Sequence, residues 1–375
     1  MSFYDIYKHY DWDEIKNFIY SRDETDIIST LGKQHLTDED FATLLSPAAE
    51  KYIEEMAQTA HKITVMRFGK TIKLYAPLYL SNVCTNSCIY CGFNVHNKIP
   101  RITLNEDEIE VEAKAVSDTG IKHILLLTGE APKIANIDYL KKATEICSKY
   151  FSSIGIEIYP LDIEGYKTLV DAGVDLLTIY QETYNRKTYN EVHLAGKKKD
   201  FLWRLETPER GAAAGLRTVG IGALMGLDDF RVEEFFVGIH AKYLMKKYWK
   251  THFTVSFPRI RKAEGCYAPR CYVSDKNLVQ SIVAMRMFLH DVGIVISTRE
   301  PAWLRDNLIP LGVTQMSAGS KTEPGGYALH EDEKAEQFHI EDNRPVNEII
   351  NVIRSKGYDP VLKDWDRAFV QPVSV

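Results

Sequence analysis

From residue 72 onward the chain alternates between short, mostly apolar runs and amphipathic stretches of helical period. The runs expected as strands are 73–80, 123–128, 154–159, 174–180, 218–225, 252–257, 293–298 and 312–317. Helical patterns at 105–118, 137–150, 163–171, 231–248 and 275–290 stand between them. Strands joined through helices run parallel, and a parallel sheet must be covered by its helices. Eight such units predict an α/β fold, a (β/α)8 TIM-like barrel spanning 72–329. A doubly wound open sheet is the competitor. Its Gly-x-Gly-x-x-Gly turn is missing after the first strand, where a cysteine loop stands instead.

Residues 1–71 read as an N-terminal helical extension. Leu36 and Thr37 form a staple and cap, Ser46-Pro47 place a cap and a first-turn proline before a long helix, and Gly69 closes the segment. The tail 330–375 reads as a surface extension packed on the barrel, with a short helix near 345–356. The 46 Lys+Arg against 52 Asp+Glu leave a net charge of -6, which argues against a general nucleic-acid binder. The basic run Gly196-Lys197-Lys198-Lys199 is expected to be a solvated loop. No apolar stretch approaches the roughly eighteen residues a membrane span needs, and the N-terminus lacks the pattern of a signal peptide. A cytoplasmic enzyme is expected.

Six cysteines are too sparse for a disulfide framework, yet Cys84, Cys88 and Cys91 fall on one loop as C-x3-C-x2-C. Three thiolates can hold three corners of an iron–sulfur cube and leave the fourth iron open, unlike the four-cysteine electron carriers. The alternative is a zinc site completed by His96, although zinc sites usually pair two separated halves. Cys147 is expected to be a buried apolar residue. Cys266 and Cys271 form C-x4-C, too few ligands for a second cluster.

This loop after a first barrel strand resembles the signature of the radical S-adenosylmethionine (SAM) superfamily. The resemblance implies a [4Fe–4S] cluster on Cys84, Cys88 and Cys91 whose open iron binds SAM, and cleavage of SAM to methionine and a 5′-deoxyadenosyl radical. It also implies roles at the strand ends, where barrel enzymes gather their functional groups. Thr128-Gly129-Glu130 would hold the SAM amino group, Glu182 a ribose hydroxyl and Arg204 the SAM carboxylate, with Leu224 and Tyr90 against the adenine. Arg299 would anchor the carboxylate of an amino-acid substrate, assisted by Ser317. For Arg299 the alternative is a surface pair with Glu300. Pro324-Gly325-Gly326-Tyr327 is expected to close the barrel mouth as a rigid turn.

Several long blocks, among them PLYLSNVCTNSCIYCGF, GKKKDFLWRLETPER, STRE and SAGSKTEPGGY, are similar to the 2-iminoacetate synthase family of bacterial thiamine biosynthesis. That resemblance implies cleavage of the Cα–Cβ bond of L-tyrosine to 2-iminoacetate (dehydroglycine) and p-cresol. It further implies a flavodoxin or ferredoxin electron donor and the thiazole synthase ThiG as partner. Two alternatives stand beside it, the hydrogenase-maturation tyrosine lyases and a biotin-synthase-like carbon-skeleton enzyme. The hydrogenase type carries a further cysteine-bearing C-terminal domain, and no cysteine follows Cys271 here.

Overall fold

A computed structural model describes residues 2–265, 267–329, 335–366 and 369, so Cys266 lies outside the described residues. All eight expected strands form: β1 (Thr71–Ser81), β2 (His123–Thr128), β3 (Ser153–Glu157), β4 (Leu176–Thr178), β5 (Thr218–Gly222), β6 (His252–Ser256), β7 (Gly293–Ile296) and β8 (Gln315–Ser317). Each pairs in parallel with the next. β8 returns to β1 through Lys73–Gln315 to Tyr75–Ser317, and β1 pairs β2, so the sheet closes into a barrel. β2 and β5 to β8 are buried at nearly every position, as strands sandwiched between a packed interior and a helical layer should be.

One strand escapes the periodicity. β9 (Asp359–Val361) pairs with Thr71–Lys73 of β1, beside the stretch that β2 leaves free. The C-terminal tail therefore extends the sheet itself, beyond the surface packing expected of it. Its helix Val346–Ser355 buries Val346, Ile349, Ile350 and Ile353 on one face.

The N-terminal helices pack on the outside of the barrel. Thr37 caps Asp38–Leu44 in a reciprocal capping box with Asp40. Ser46 caps a 3-10 turn, Pro47–Tyr52, which runs into the helix Ile53–Phe68. Phe3 stacks on His240 of the helix Phe230–Lys247, ring centroids 3.8 Å apart, and its amide donates to Glu209 at 2.7 Å. Among the described residues no helix is long and apolar enough to cross a membrane.

Candidate active site

The loop after β1 carries three free thiols, Cys88 buried and Cys84 and Cys91 half-buried. Its conformation is fixed from several sides. The Cys91 amide donates to the Cys88 carbonyl at 3.2 Å, and the Arg101 guanidinium donates to the carbonyls of Asn82, Phe93, Asn94 and Asn97. Asn86 donates to the Glu130 carboxylate at 2.7 Å, while the Glu130 carbonyl accepts from the Thr85 amide at 2.9 Å. Gly129 is required by close approach, since a Cβ there would lie 2.3 Å from the Val83 carbonyl oxygen. Thr128-Gly129-Glu130 thus backs the cysteine loop. The Thr128 hydroxyl is buried and has no hydrogen-bond partner among the described residues.

Among the described residues no group of three or more His, Cys, Asp or Glu could hold a single metal ion, and His96 is exposed. The zinc arrangement completed by His96 is not formed. An iron–sulfur cube does not need its cysteines to meet at one ion, because each binds a different iron. The donor chemistry fits such a group. Burial pushes the Cys88 thiol up to about 12, with Cys91 and Cys84 adding to the rise against Lys198. Cys91 is raised by burial and then by Cys84. Three thiolates in one desolvated cup repel one another, and a cationic iron core among them removes that cost.

Beside the thiols lies a cavity at the C-terminal ends of the strands, lined by Tyr90, Cys91, Glu182, Leu224 and Arg299. Glu182 is the one non-glycine with positive φ among the described residues, at 71°. Such backbone costs on the order of 1–3 kcal/mol and persists only where its surroundings enforce it. Here they do. The Leu224 amide donates to the Glu182 carbonyl at 2.8 Å, and the carboxylate meets Lys198 at 2.6 Å and Arg204 at 3.4 Å. Just after it, Glu233 accepts from the Thr183 hydroxyl and the Tyr184 amide. Burial alone would raise Glu182, but Lys198 and Arg204 outweigh it and hold the carboxyl below its ordinary range. Arg204 also donates to the Tyr180 carbonyl at 2.6 Å, so it buttresses Glu182 from behind.

Tyr90 donates to His193 Nε2 at 2.7 Å, while His193 Nδ1 donates to the Tyr189 carbonyl at 2.9 Å. That arrangement needs a neutral imidazole, and burial depresses His193 to about 3.

The cavity continues to a deeper chamber that shares Arg299 and Glu157. Arg299 does not pair with Glu300, which is taken by Arg259 and Arg261. Among the described residues it has no carboxylate within ion-pair distance, and its guanidinium lies 3.3 Å from the centre of the Phe338 ring. Ser317 is buried, and its hydroxyl accepts from the Thr298 amide at 3.0 Å, so it props the Arg299 loop. Glu157, at the end of β3, is raised to about 7 by burial and then by Glu182, with Arg299 acting against the rise.

The radical SAM superfamily model matches residues 78–236, and the biotin and thiamin synthesis associated domain matches 256–359. The chain is 42% identical over 366 residues to the 2-iminoacetate synthase of Salmonella typhimurium and, likewise, to that of Escherichia coli; each alignment covers 97% of both chains. The chain belongs to the 2-iminoacetate synthase family of radical SAM enzymes. The [FeFe]-hydrogenase maturase HydG has a similar structure, with TM-score 0.87 and 31% identity over 96% of this chain and 80% of that one. The HydG of Carboxydothermus hydrogenoformans gives 0.85 and 35%, covering 96% and 83%. Membership of the radical SAM superfamily implies a [4Fe–4S] cluster and SAM.

For a radical SAM enzyme, several cavity residues carry no advance signal. Lys198 sits in the run expected to be solvated, yet its ammonium is held inside the site by Glu182; only its neighbours Lys197 and Lys199 are exposed. Glu157 and Tyr180 look like ordinary strand-end residues. Gln337 and Phe338 belong to the tail, whose segment 335–338 enters the barrel mouth. The turn at Pro324–Tyr327, expected to close that mouth, ties a barrel strand to an outer helix. The Tyr327 amide donates to Glu112 of the helix Glu106–Asp118, and its hydroxyl to the Pro77 carbonyl of β1.

Proposed function

We propose that this protein is a radical SAM lyase that breaks the Cα–Cβ bond of L-tyrosine, giving 2-iminoacetate and p-cresol for the thiazole ring of thiamine. The observation that carries the reading is the 42% identity over 97% of both chains to 2-iminoacetate synthases. It favours this activity over that of the hydrogenase maturases, to which the identity is 31% and 35%. Localisation in the cytoplasm accords with the reading.

Cys84, Cys88 and Cys91 would hold the cluster. Tyr90, Thr128, Gly129, Glu130, Glu182, Arg204 and Leu224 would enclose SAM. Bound there, the two supply a carbon-centred radical able to take a hydrogen atom from the substrate. Every other task falls to the chain. Arg299, with no carboxylate partner of its own among the described residues, would grip the tyrosine carboxylate through two N–H groups. That grip fixes the amino group, rather than the ring, toward the radical, and placement decides the outcome for so reactive a species. An ammonium must lose a proton before its nitrogen can yield a hydrogen atom efficiently. Glu157 stands in the same cavity and titrates near neutrality, which suits it to accept that proton. Tyr75, Tyr79, Leu125 and Leu127 line the deeper chamber and exclude water around an aromatic ring.

The enzyme class requires an electron donor, for which a flavodoxin or ferredoxin is proposed, and ThiG is the proposed user of the product. The test is anaerobic incubation of the reduced protein with SAM and tyrosine. Release of p-cresol with 5′-deoxyadenosine is expected. Deoxyadenosine without p-cresol would point to another radical SAM carbon-skeleton reaction and overturn the tyrosine assignment.

A further inference from the structure

The C-terminal tail does more than cover the barrel. Between Ala335 and Phe338 it passes through the mouth and is held there by barrel groups. Asn82 donates to the Ala335 carbonyl at 3.4 Å, the Gln337 amide donates to the Thr322 carbonyl at 3.0 Å, and the Thr322 hydroxyl donates to the Phe338 carbonyl at 3.0 Å. The Gly92 amide, one residue beyond Cys91, donates to the Gln337 carbonyl at 3.1 Å. The approach is so close that a Cβ on Gly92 would lie 2.4 Å from that oxygen.

The Gln337 side chain faces two ways. Its Oε1 accepts from the Tyr79 hydroxyl at 2.8 Å, which turns the amide so that Nε2 donates to Cys91 Sγ at 3.8 Å. Tyr79 and Gln337 both line the deeper chamber, and Phe338 faces Arg299 across 3.3 Å. One tail side chain therefore touches a cluster cysteine and, through a single hydrogen bond, a wall of the substrate chamber. A hydrogen bond to a cluster sulfur stabilises the more negative, reduced form and raises the reduction potential.

We propose that Gln337 is a positioning residue that sets the reduction potential of the cluster through Cys91 and links it, by way of Tyr79, to occupancy of the substrate chamber. The inference rests on the radical SAM reading of the site and, for its second half, on tyrosine as the ligand. A ligand that displaces Tyr79 frees or tightens the amide, and its binding changes the potential. By linkage, reduction of the cluster then changes ligand affinity by the same factor.

The experiment is an anaerobic redox titration of the reconstituted full-length protein, followed by the electron paramagnetic resonance of the reduced cluster. It is run without and with tyrosine, on wild type, Gln337→Leu, Gln337→Glu and Tyr79→Phe, with iron and sulfide content as the loading control. Without ligand, Gln337→Leu is expected to shift the midpoint to more negative potential, and Gln337→Glu further in the same direction. With tyrosine, wild type is expected to shift, while Gln337→Leu and Tyr79→Phe lose that shift. A Gln337→Leu midpoint equal to wild type overturns the tuning role. A tyrosine-dependent shift that survives in Tyr79→Phe overturns the linkage, and that variant decides even if Gln337→Leu loads poorly. No shift in wild type that nevertheless releases p-cresol also overturns the linkage. Absence of p-cresol with an intact ligand-free difference instead removes the tyrosine assignment alone.

Discussion

At the N-terminal end of the barrel, Lys73, His123, Asp175, Arg217 and Asp364 answer one another. His123 meets Asp364 at 2.6 Å, Lys73 meets Asp364 at 3.6 Å, and Arg217 meets Asp175 at 2.6 Å. At the C-terminal end, Glu157 and Arg299 face one cavity, neither with an ion-pair partner among the described residues, next to the loop of Cys84, Cys88 and Cys91. The same eight strands supply both ends. One end uses charge to close the sheet, and the other leaves charge unspent where a ligand can complete it. The positive φ of Glu182 belongs to the second end, held by Lys198 and Arg204 against its own preference.

The contrast breaks first at the cysteines. Cys88→Ala is expected to abolish cluster loading and all product formation while leaving the thermal transition within a few degrees of wild type. Iron, acid-labile sulfide and a melting curve check this. A cluster content equal to wild type would remove Cys88 from the ligand set, and collapse of the fold would mean that the upper end also bears structure. Arg299→Ala comes next, with an expected loss of roughly 2–4 kcal/mol in kcat/KM, about 30- to 1,000-fold. Tyrosine affinity should fall more than SAM affinity. Unchanged tyrosine binding takes Arg299 out of the substrate site.

Glu157→Gln sharpens the same end. As proton acceptor Glu157 is active when ionised, and its carboxyl is raised to about 7. The rate should therefore climb with pH and level off above that value. The glutamine variant should lose about 10²-fold in kcat together with this acid limb. A variant that keeps the limb places the titrating group elsewhere.

The strands were legible because a parallel strand covered on both faces reads as a short apolar run, and seven linking segments kept them apart. β4 shrank from the expected 174–180 to Leu176–Thr178, since a run of apolar residues does not say where pairing stops. β9 was not legible: three residues containing a proline carry no period, and only the free edge of β1 makes them a strand. In the site, the cysteine loop announced itself by spacing. Lys198 did not, because its charge suits solvent as well as it suits Glu182, and only the folded chain decides between them. Gln337 lies 246 residues from Cys91, so no local pattern could join them.

The smallest effect tests the closed end. Asp364→Ala removes the carboxylate that answers both His123 and Lys73. Burial works to raise this carboxyl, yet the His123 hydrogen bond and the Lys73 charge outweigh it and hold it far below the usual range. A carboxyl depressed on folding contributes stability at pH values above its unfolded pKa, near 4, and loses that contribution as pH falls through the folded value. The side chain is 37% exposed, so the several kcal/mol of a wholly buried pair reduce to about 1–2 kcal/mol. Chemical denaturation at pH 7 should show that loss in Asp364→Ala, with kcat kept, and the gap from wild type should narrow as the pH is lowered below about 4. A fall in kcat at constant stability would mean that the two ends are coupled through the barrel, and the division of labour between them would not stand.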